Sequence, residues 1–170
     1  VPSGSYYEDA VLWALRQGIT TGTGAAAFGP DLACTRAQAV TFLWRASGSP
    51  APKSADTAFT DVVPGSYYYD AVLWAVENGI TGGTTASTFD PDGICSRAQI
   101  VAFLWRSQES PAVDGANPFT DVSGSAYYAG AVLWAASEKV TAGISEDTFA
   151  PQRSCTRAQI ITFLWRAIAE

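Results

Sequence analysis

Three arginines stand at equivalent points of the chain, and their surroundings indicate anion binding. Arg36, Arg97 and Arg157 are each followed by Ala-Gln. The residue before each arginine is a serine or threonine, namely Thr35, Ser96 and Thr156. The Gln two residues after each arginine completes the capping box that begins a helix. Each guanidinium therefore lies at a helix N-terminus, where free N–H groups and the helix dipole favour an anion. The pattern predicts a compact site for a carboxylate or phosphate, with bidentate geometry available.

The position of Arg36 on its helix supports this interpretation. At 100° per residue, Arg36 falls between Val40 and Leu43, in the middle of the apolar arc. A charge at that position is costly unless an anionic group meets it. In one interpretation that group is an external ligand, and in the other it is the carboxylate of Asp61 or Asp121. We include both aspartates among the candidate ligand-binding residues.

A second set of arginines lies at the other end of the same helices. Arg45 and its equivalents Arg106 and Arg166 fall in the last turn, on the polar face. A cation there complements the helix dipole and stays solvated. We therefore expect these three arginines to be structural and not to contact a ligand.

Two further features recur in all three copies and could form part of a binding site. The loops share a glycine, at Gly22, Gly83 and Gly143. It either adopts a positive φ in a turn or lets a ligand approach the backbone. The first helices begin with tyrosine pairs, Tyr6-Tyr7, Tyr67-Tyr68 and Tyr127-Tyr128. Such pairs either offer stacking faces for a sugar ring or form half-buried core.

Catalytic and metal-binding signatures are weak in this sequence. It contains no His, the usual general base and a common zinc ligand. No carboxylate pair recurs in all three copies, and no nucleophile has an adjacent base. Cys34, Cys95 and Cys155 are expected to pack in the core beside the helix starts, with a metal bound by all three thiols as the alternative. We predict no enzyme activity, no cofactor and no metal.

Charge and hydropathy exclude two classes of partner. The net charge of −6 argues against nucleic acid, which would need a basic stripe. No run of about 18 apolar residues is present, so we expect no membrane insertion. The first copy starts late in the repeat, which indicates a fragment or processed form, so a missing signal peptide says nothing about compartment.

The elements that position these residues form a threefold repeat. The twelve residues from Cys34 to Arg45 recur 61 and 60 residues apart, with eight positions identical in all copies. Each copy is predicted to be helix, long loop, helix, which makes the fold class all-α. We place the repeats at 1–48, 59–108 and 119–170, joined by linkers 49–58 and 109–118.

Local signals set the predicted ends of the first helices. These helices are expected near Tyr6 to Gln17, Tyr67 to Asn78 and Tyr127 to Glu138. Ser5 and Glu8 would form a capping box in the first copy. Gly18 and Gly79 end the first two of these helices. Lys139 replaces that glycine in the third copy, so this turn should be strained or differently shaped.

These motifs resemble the S-layer homology (SLH) family over essentially the whole chain. The second copy contains the four family motifs, Phe59-Thr60-Asp61-Val62, Gly79-Ile80-Thr81-Gly82-Gly83, Phe89-Asp90-Pro91 and Ser96-Arg97-Ala98-Gln99. The resemblance implies a pseudo-threefold arrangement of three repeats around a central helical bundle, with grooves between neighbours. It implies attachment to secondary cell-wall polysaccharides, often through pyruvylated amino sugars. The family arginine that contacts the anionic sugar maps to Arg36, Arg97 and Arg157.

Three departures from the family pattern affect the site. Gln38, Gln99 and Gln159 stand where the family usually has Glu, which removes a negative charge beside the anion site. The opening Phe-x-Asp is missing from the first copy, and Lys139 alters the third. The middle motif is intact, so Arg97 is the first candidate for ligand binding.

The resulting expectation is a non-catalytic anchor on the bacterial cell wall surface. It would act as an extracellular monomer and bind an anionic, pyruvylated polysaccharide. The alternative is a protein-binding or self-associating surface module on the same fold. An envelope enzyme would require a catalytic domain outside these residues.

Overall fold

Six helices, two in each repeat, organise the chain. The computed structural model describes residues 1–24 and 26–169. The helices are α1 (Glu8–Arg16), α2 (Arg36–Ala46), α3 (Tyr69–Glu77), α4 (Arg97–Ser107), α5 (Ala129–Ser137) and α6 (Arg157–Ile168). Within the described ranges the only β-type pairings are isolated bridges. The all-α class and the helix-loop-helix order are therefore confirmed.

The second helices begin as the capping boxes predict. The Oγ1 of Thr35 accepts a hydrogen bond from Gln38 N–H at 3.2 Å, and Gln38 Oε1 accepts from Thr35 N–H at 3.3 Å. The same reciprocal pair begins α4 at Ser96 and α6 at Thr156. Helices α2, α4 and α6 contact one another and contribute most of their apolar side chains to one shared core.

The first helices begin later than predicted. Helix α1 starts at Glu8, with Tyr7 as its N-cap and no side-chain cap. The expected capping box between Ser5 and Glu8 is therefore wrong: the Glu8 carboxylate instead accepts a hydrogen bond from Gly4 N–H at 2.6 Å. Helix α1 packs on α6, α3 on α2 and α5 on α4. Each first helix thus packs against the second helix of another repeat.

Backbone hydrogen bonds join the three repeats in a closed ring. Cys34 N–H donates to the Cys155 carbonyl at 3.0 Å, Cys155 N–H to Cys95 at 2.9 Å, and Cys95 N–H to Cys34 at 2.9 Å. All three thiols are free and fully buried, as expected for core residues. No cluster of three metal-ligating side chains is found among residues 1–24 and 26–169. Their complete burial makes the three thiols part of the shared core at the junction of the repeats.

The turn at Lys139 has the same shape as its glycine counterparts. Its φ is +58°, against +69° at Gly18 and +67° at Gly79. The expectation of a different shape is wrong, because a Cβ at Gly18 or Gly79 would meet no heavy atom within 4 Å. What remains is the strain of a left-handed backbone at a residue that has a Cβ.

The segments between repeats are held against the helices. Trp44 Nε1 donates to the Pro50 carbonyl at 2.9 Å, and Trp105 Nε1 donates to that of Pro111 at the same distance. Lys53 N–H donates to the Glu77 carboxylate at 2.9 Å. None of the six helices has the length and apolar character needed to cross a membrane.

Candidate ligand-binding grooves

Arg36 is buried at the boundary between the first and second repeats. Its side chain is 3% exposed, and its Nε donates to the Phe89 carbonyl at 2.8 Å. The guanidinium carbon lies 4.7 Å from the ring centroid of Phe89 and 5.6 Å from that of Phe103. The cation therefore lies within cation–π distance of two aromatic rings.

The other two motif arginines adopt the same arrangement. Arg97 Nε donates to the Phe149 carbonyl at 2.7 Å, and Arg157 Nε donates to the Phe28 carbonyl at 3.0 Å. Each arginine thus contacts the repeat that follows its own, and the third repeat contacts the first. The sequence analysis made Arg97 the first candidate for ligand binding because the motifs of its own copy are intact. In the structure it is Arg36 that meets the motifs of the middle repeat.

The two candidate aspartates accept hydrogen bonds from the loops whose carbonyls bind Arg36 and Arg97. The carboxylate of Asp61 accepts from Phe89 N–H at 2.9 Å and from Asp90 N–H at 2.7 Å. Asp121 accepts in the same way from Phe149 and Ala150. Both carboxylates thus bond to backbone N–H groups, and not to the arginines as the second interpretation proposed. Burial alone would raise the pKa of Asp61, but these N–H donors outweigh it and hold that pKa below its usual value.

One nitrogen of Arg36 has no partner. Its Nη2 and the hydroxyl of Ser66 are the buried side-chain polar atoms without a hydrogen bond in the described ranges. The equivalent Nη2 of Arg97 donates to Thr141 Oγ1 at 3.3 Å. Burial lowers the pKa of Arg36, although the nearby carboxylates of Asp90 and Asp61 act in the opposite direction. An acceptor that reached Nη2 would satisfy an otherwise costly donor.

Arg36 opens onto a cavity of about 440 Å³, which we call the Tyr127 groove. Its wall includes the loop 81–84, Gln99 and Arg106 of the second repeat, and Tyr127 of the third. All three repeats therefore contribute to it. The wall contains two arginines and no carboxylate, although the chain as a whole has a net charge of −6.

An equivalent cavity of about 320 Å³, the Tyr67 groove, lies at the first repeat. Arg157 lines it together with the loop 20–22, Gln38, Arg45 and Tyr67. The two grooves thus repeat one plan: an arginine from one repeat, a loop and a helix from the next, and a tyrosine from the third.

The shared glycines take the conformation that a turn requires. Gly22, Gly83 and Gly143 have φ values of +86°, +86° and +83°. A Cβ at Gly83 would lie 2.5 Å from both Thr88 O and Phe59 Cε1. The turn interpretation is therefore correct. Gly22 and Gly83 also line the two grooves, so their exposed backbone faces any ligand there.

Within each tyrosine pair, one ring fits the core interpretation and the other fits the surface interpretation. In each pair the rings meet edge to face, with centroids 5.0 Å apart for Tyr127 and Tyr128. Tyr128 is half-buried, whereas Tyr127 is 59% exposed. The second member is core, and the first presents a ring at the surface.

The sequence analysis did not predict that two of the last-turn arginines line the grooves. Arg45 and Arg106 line the two cavities. Each also donates from Nη1 to a backbone carbonyl, Ile19 at 3.1 Å and Ile80 at 3.0 Å respectively. A signal was present, because Arg45 shares a helix face with Gln38, beside the capping box that begins the same helix.

Comparison with known proteins identifies the family. The model of the S-layer homology domain matches residues 1–40, 58–101 and 118–161. The chain belongs to the S-layer homology domain family. The three matches agree with the threefold repeat of the SLH motifs, and each match contains one loop and one of the motif arginines.

Named relatives of this SLH chain are larger proteins. A "Surface-layer 125 kDa protein" of Lysinibacillus sphaericus is 30% identical over 118 residues, which cover 69% of this chain and 10% of the relative. A "Cell surface protein" of Thermoanaerobacter kivui is 33% identical over 105 residues, covering 59% and 14%. An "Endoglucanase" of Bacillus sp. (strain KSM-635) is 32% identical over 160 residues, covering 88% and 17%.

The chain therefore spans less than a fifth of the length of each of these relatives. SLH membership, together with two relatives named as surface proteins, supports a cell-surface anchoring module in bacteria.

Proposed function

We propose that this SLH chain is a non-catalytic anchor that binds an anionic, pyruvylated secondary polysaccharide of the bacterial cell wall. The ligand lies in the grooves between repeats 1–48, 59–108 and 119–170, which segments 49–58 and 109–118 join. The repeats form a pseudo-threefold monomer around α2, α4 and α6. The module works outside the cell, without a cofactor.

The observation that supports this proposal best is the unpartnered nitrogen of Arg36. It belongs to a buried cation that lines a groove without carboxylates. A carboxylate on a sugar ring supplies the missing acceptor and brings a negative charge to the groove, and such charge-assisted bonds are stronger than neutral ones. A ketal-linked pyruvate is a compact group of this type.

The remaining wall of the groove suits a sugar ring. The exposed ring of Tyr127 offers an apolar face, and Thr81, Thr84 and Gln99 offer hydroxyl and amide groups. A volume of about 440 Å³ lies within the range of small-ligand sites, which are roughly 300–1,000 Å³. Several grooves on one scaffold would also add avidity toward a polymer with repeating units.

The test is co-sedimentation of the chain with insoluble wall material that retains its pyruvylated polysaccharide. The same material after mild acid removal of pyruvate is the control. We expect binding to the first and not to the second, and weaker binding as salt concentration rises. Equal binding to both, or binding to neither, would contradict the proposal. Capture by surface proteins after removal of the polysaccharide would favour the protein-binding alternative.

Substitution of the arginines adds a second readout. Arg36→Gln should reduce affinity by about 1.5–3 kcal/mol, the range for a hydrogen bond to a charged group. Arg16→Gln is the matched control, because Arg16 is exposed in the last turn of α1, outside both grooves. Far-UV circular dichroism establishes that each variant remains folded.

A further inference from the structure

We propose that the Tyr127 groove is the single tight anion site of the chain, and that Arg106 binds the anionic group together with Arg36. This inference rests on the proposed function, because it concerns the same ligand. It assigns a binding role to Arg106, which the sequence pattern indicated to be structural. It also assigns unequal affinities to three sites that the repeat would make equal.

Arg36 and Arg97 differ in whether Nη2 has a hydrogen-bond partner. Both are buried, and both hold the carbonyl of a phenylalanine through Nε. Arg97 also donates from Nη2 to Thr141 Oγ1 at 3.3 Å, whereas the same nitrogen of Arg36 is buried without a partner. An anion that reaches Nη2 of Arg36 satisfies a donor that has no partner, whereas the same nitrogen of Arg97 already has an internal partner, so the gain there is smaller.

Arg106 is held in place at the wall of the Tyr127 groove. Its Nη1 donates to the Ile80 carbonyl at 3.0 Å, and its guanidinium carbon lies 5.9 Å from the ring centroid of Tyr127. These contacts limit the rotamers of a long side chain at the groove wall, which lowers the entropy lost when it binds a ligand. Burial raises the pKa of Tyr127, and the charges of Arg106 and Arg36 oppose that rise. Both guanidiniums are thus close enough to influence the same phenol.

The loop that holds the arginine is less firmly fixed in the Tyr67 groove than in the Tyr127 groove. In the Tyr67 groove, Arg157 bonds to the carbonyl of Phe28, which is 6% exposed. In the Tyr127 groove, by contrast, the equivalent Phe89 is fully buried and is held by the Asp61 carboxylate and the ring of Phe59, whose centroid lies 6.0 Å away. A groove whose arginine is held by a firmly fixed carbonyl binds a ligand with less reorganisation.

The experiment is calorimetric titration of the chain with a synthetic pyruvylated N-acetylhexosamine. We expect one tight site per chain. The variants Arg106→Gln, Arg45→Gln and Arg166→Gln change equivalent residues in the three repeats. All three residues are half-buried and make the same bond to a backbone carbonyl. Arg106→Gln should raise Kd by about tenfold or more, as for loss of a charge-assisted contact. Arg166→Gln changes a residue that lines neither groove and should alter Kd less than about twofold, whereas Arg45→Gln should weaken only the binding in the Tyr67 groove.

The outcomes separate this inference from the function on which it rests. Three equal sites per chain, or equal losses in all three variants, would overturn it while leaving the anchor function intact. Unchanged affinity in Arg106→Gln, with affinity lost in Arg36→Gln, would remove Arg106 from the site. Absence of binding by the unmodified chain would overturn both. Thermal melts of each variant show whether a loss of affinity reflects the groove or the fold.

Discussion

Asp61 and Arg36 hold opposite sides of the same residue, Phe89. The carboxylate of Asp61 accepts from its N–H at 2.9 Å, and Nε of Arg36 donates to its carbonyl at 2.8 Å. The two side chains come from different repeats, so a single loop residue joins the repeats and orients the cation. Asp121, Phe149 and Arg97 repeat this relationship.

Replacing Asp61 by Asn should destabilise the fold in a pH-dependent way. The amide keeps one acceptor but loses the charge that two backbone N–H groups now meet, so we expect a loss of about 1 kcal/mol at pH 7. The pKa of Asp61 is lowered by those hydrogen bonds. Its contribution is therefore present above the unfolded value of about 3.9 and is lost as pH falls through the folded pKa.

The measurement for Asp61 is urea unfolding at pH 7 and near pH 3. The gap in free energy of unfolding between Asp61→Asn and the unmodified chain should narrow at the lower pH. Asp114→Asn, at an exposed position, is the control. A gap that stays constant over this range would refute the role assigned to the carboxylate.

Two glycines with positive φ should respond differently to alanine. At Gly79 the new Cβ meets no heavy atom within 4 Å, so only backbone strain of about 1–2 kcal/mol is expected. At Gly83 the Cβ would also lie 2.5 Å from Thr88 O and Phe59 Cε1. Overpacking should add roughly 1–3 kcal/mol there. Chemical denaturation of both variants tests this order, and equal losses would show that the loop gives way.

Replacing Lys139 by Gly should stabilise the chain. Lys139 adopts φ +58° in a turn that Gly18 and Gly79 form elsewhere. Removing about 1–2 kcal/mol of left-handed strain should leave a net gain of about 1 kcal/mol, because the greater freedom of Gly in the unfolded chain offsets the rest. For a chain of this size that corresponds to a rise in Tm of roughly 2–4 °C. Scanning calorimetry measures it, and a fall in Tm would mean that Lys139 makes a compensating contact.

The three thiols should be unreactive in the folded protein. Burial raises the pKa of Cys34 and of Cys155 to about 12, and that of Cys95 well above its ordinary value. Alkylation at pH 8 should therefore follow unfolding. Unfolded thiols ionise near pH 8.5 while folded ones do not, so stability should fall as pH rises from about 8.5 toward 12. Mass spectrometry with and without urea checks this, and rapid labelling of the native chain would contradict it.

Local sequence signals predicted the local structure well. The capping box of Thr35 and Gln38 is confirmed because its partners are three residues apart and need no tertiary context. The same reasoning failed at Ser5 and Glu8, where the helix starts later and Glu8 bonds to Gly4. A capping pattern fixes a helix start only when packing does not favour another start.

The hydrogen-bond acceptor of each motif arginine could not be predicted from the sequence of its own repeat. The helical periodicity of 100° per residue placed Arg36 in an apolar arc, and its side chain is buried in the structure. Its acceptor, however, is the carbonyl of Phe89, 53 residues away. Every residue has a backbone carbonyl, so the sequence does not identify which one accepts this bond. The pairing of each arginine with the next repeat follows from how the helices pack, and the roles of Arg45 and Arg106 at the grooves follow from the same packing.

The ring of backbone bonds through the cysteines also sets the order in which the fold can be completed. The last repeat returns to the first: Arg157 N–H donates to the Leu32 carbonyl at 2.9 Å, and its side chain reaches Phe28, 129 residues away in sequence. Contacts so distant require loop closure before they stabilise the fold. In a chain made from its N-terminus, the carbonyls of Leu32 and Phe28 lack these donors until α6 has been synthesised. We therefore expect the packing of the third repeat on the first to be a late step of folding.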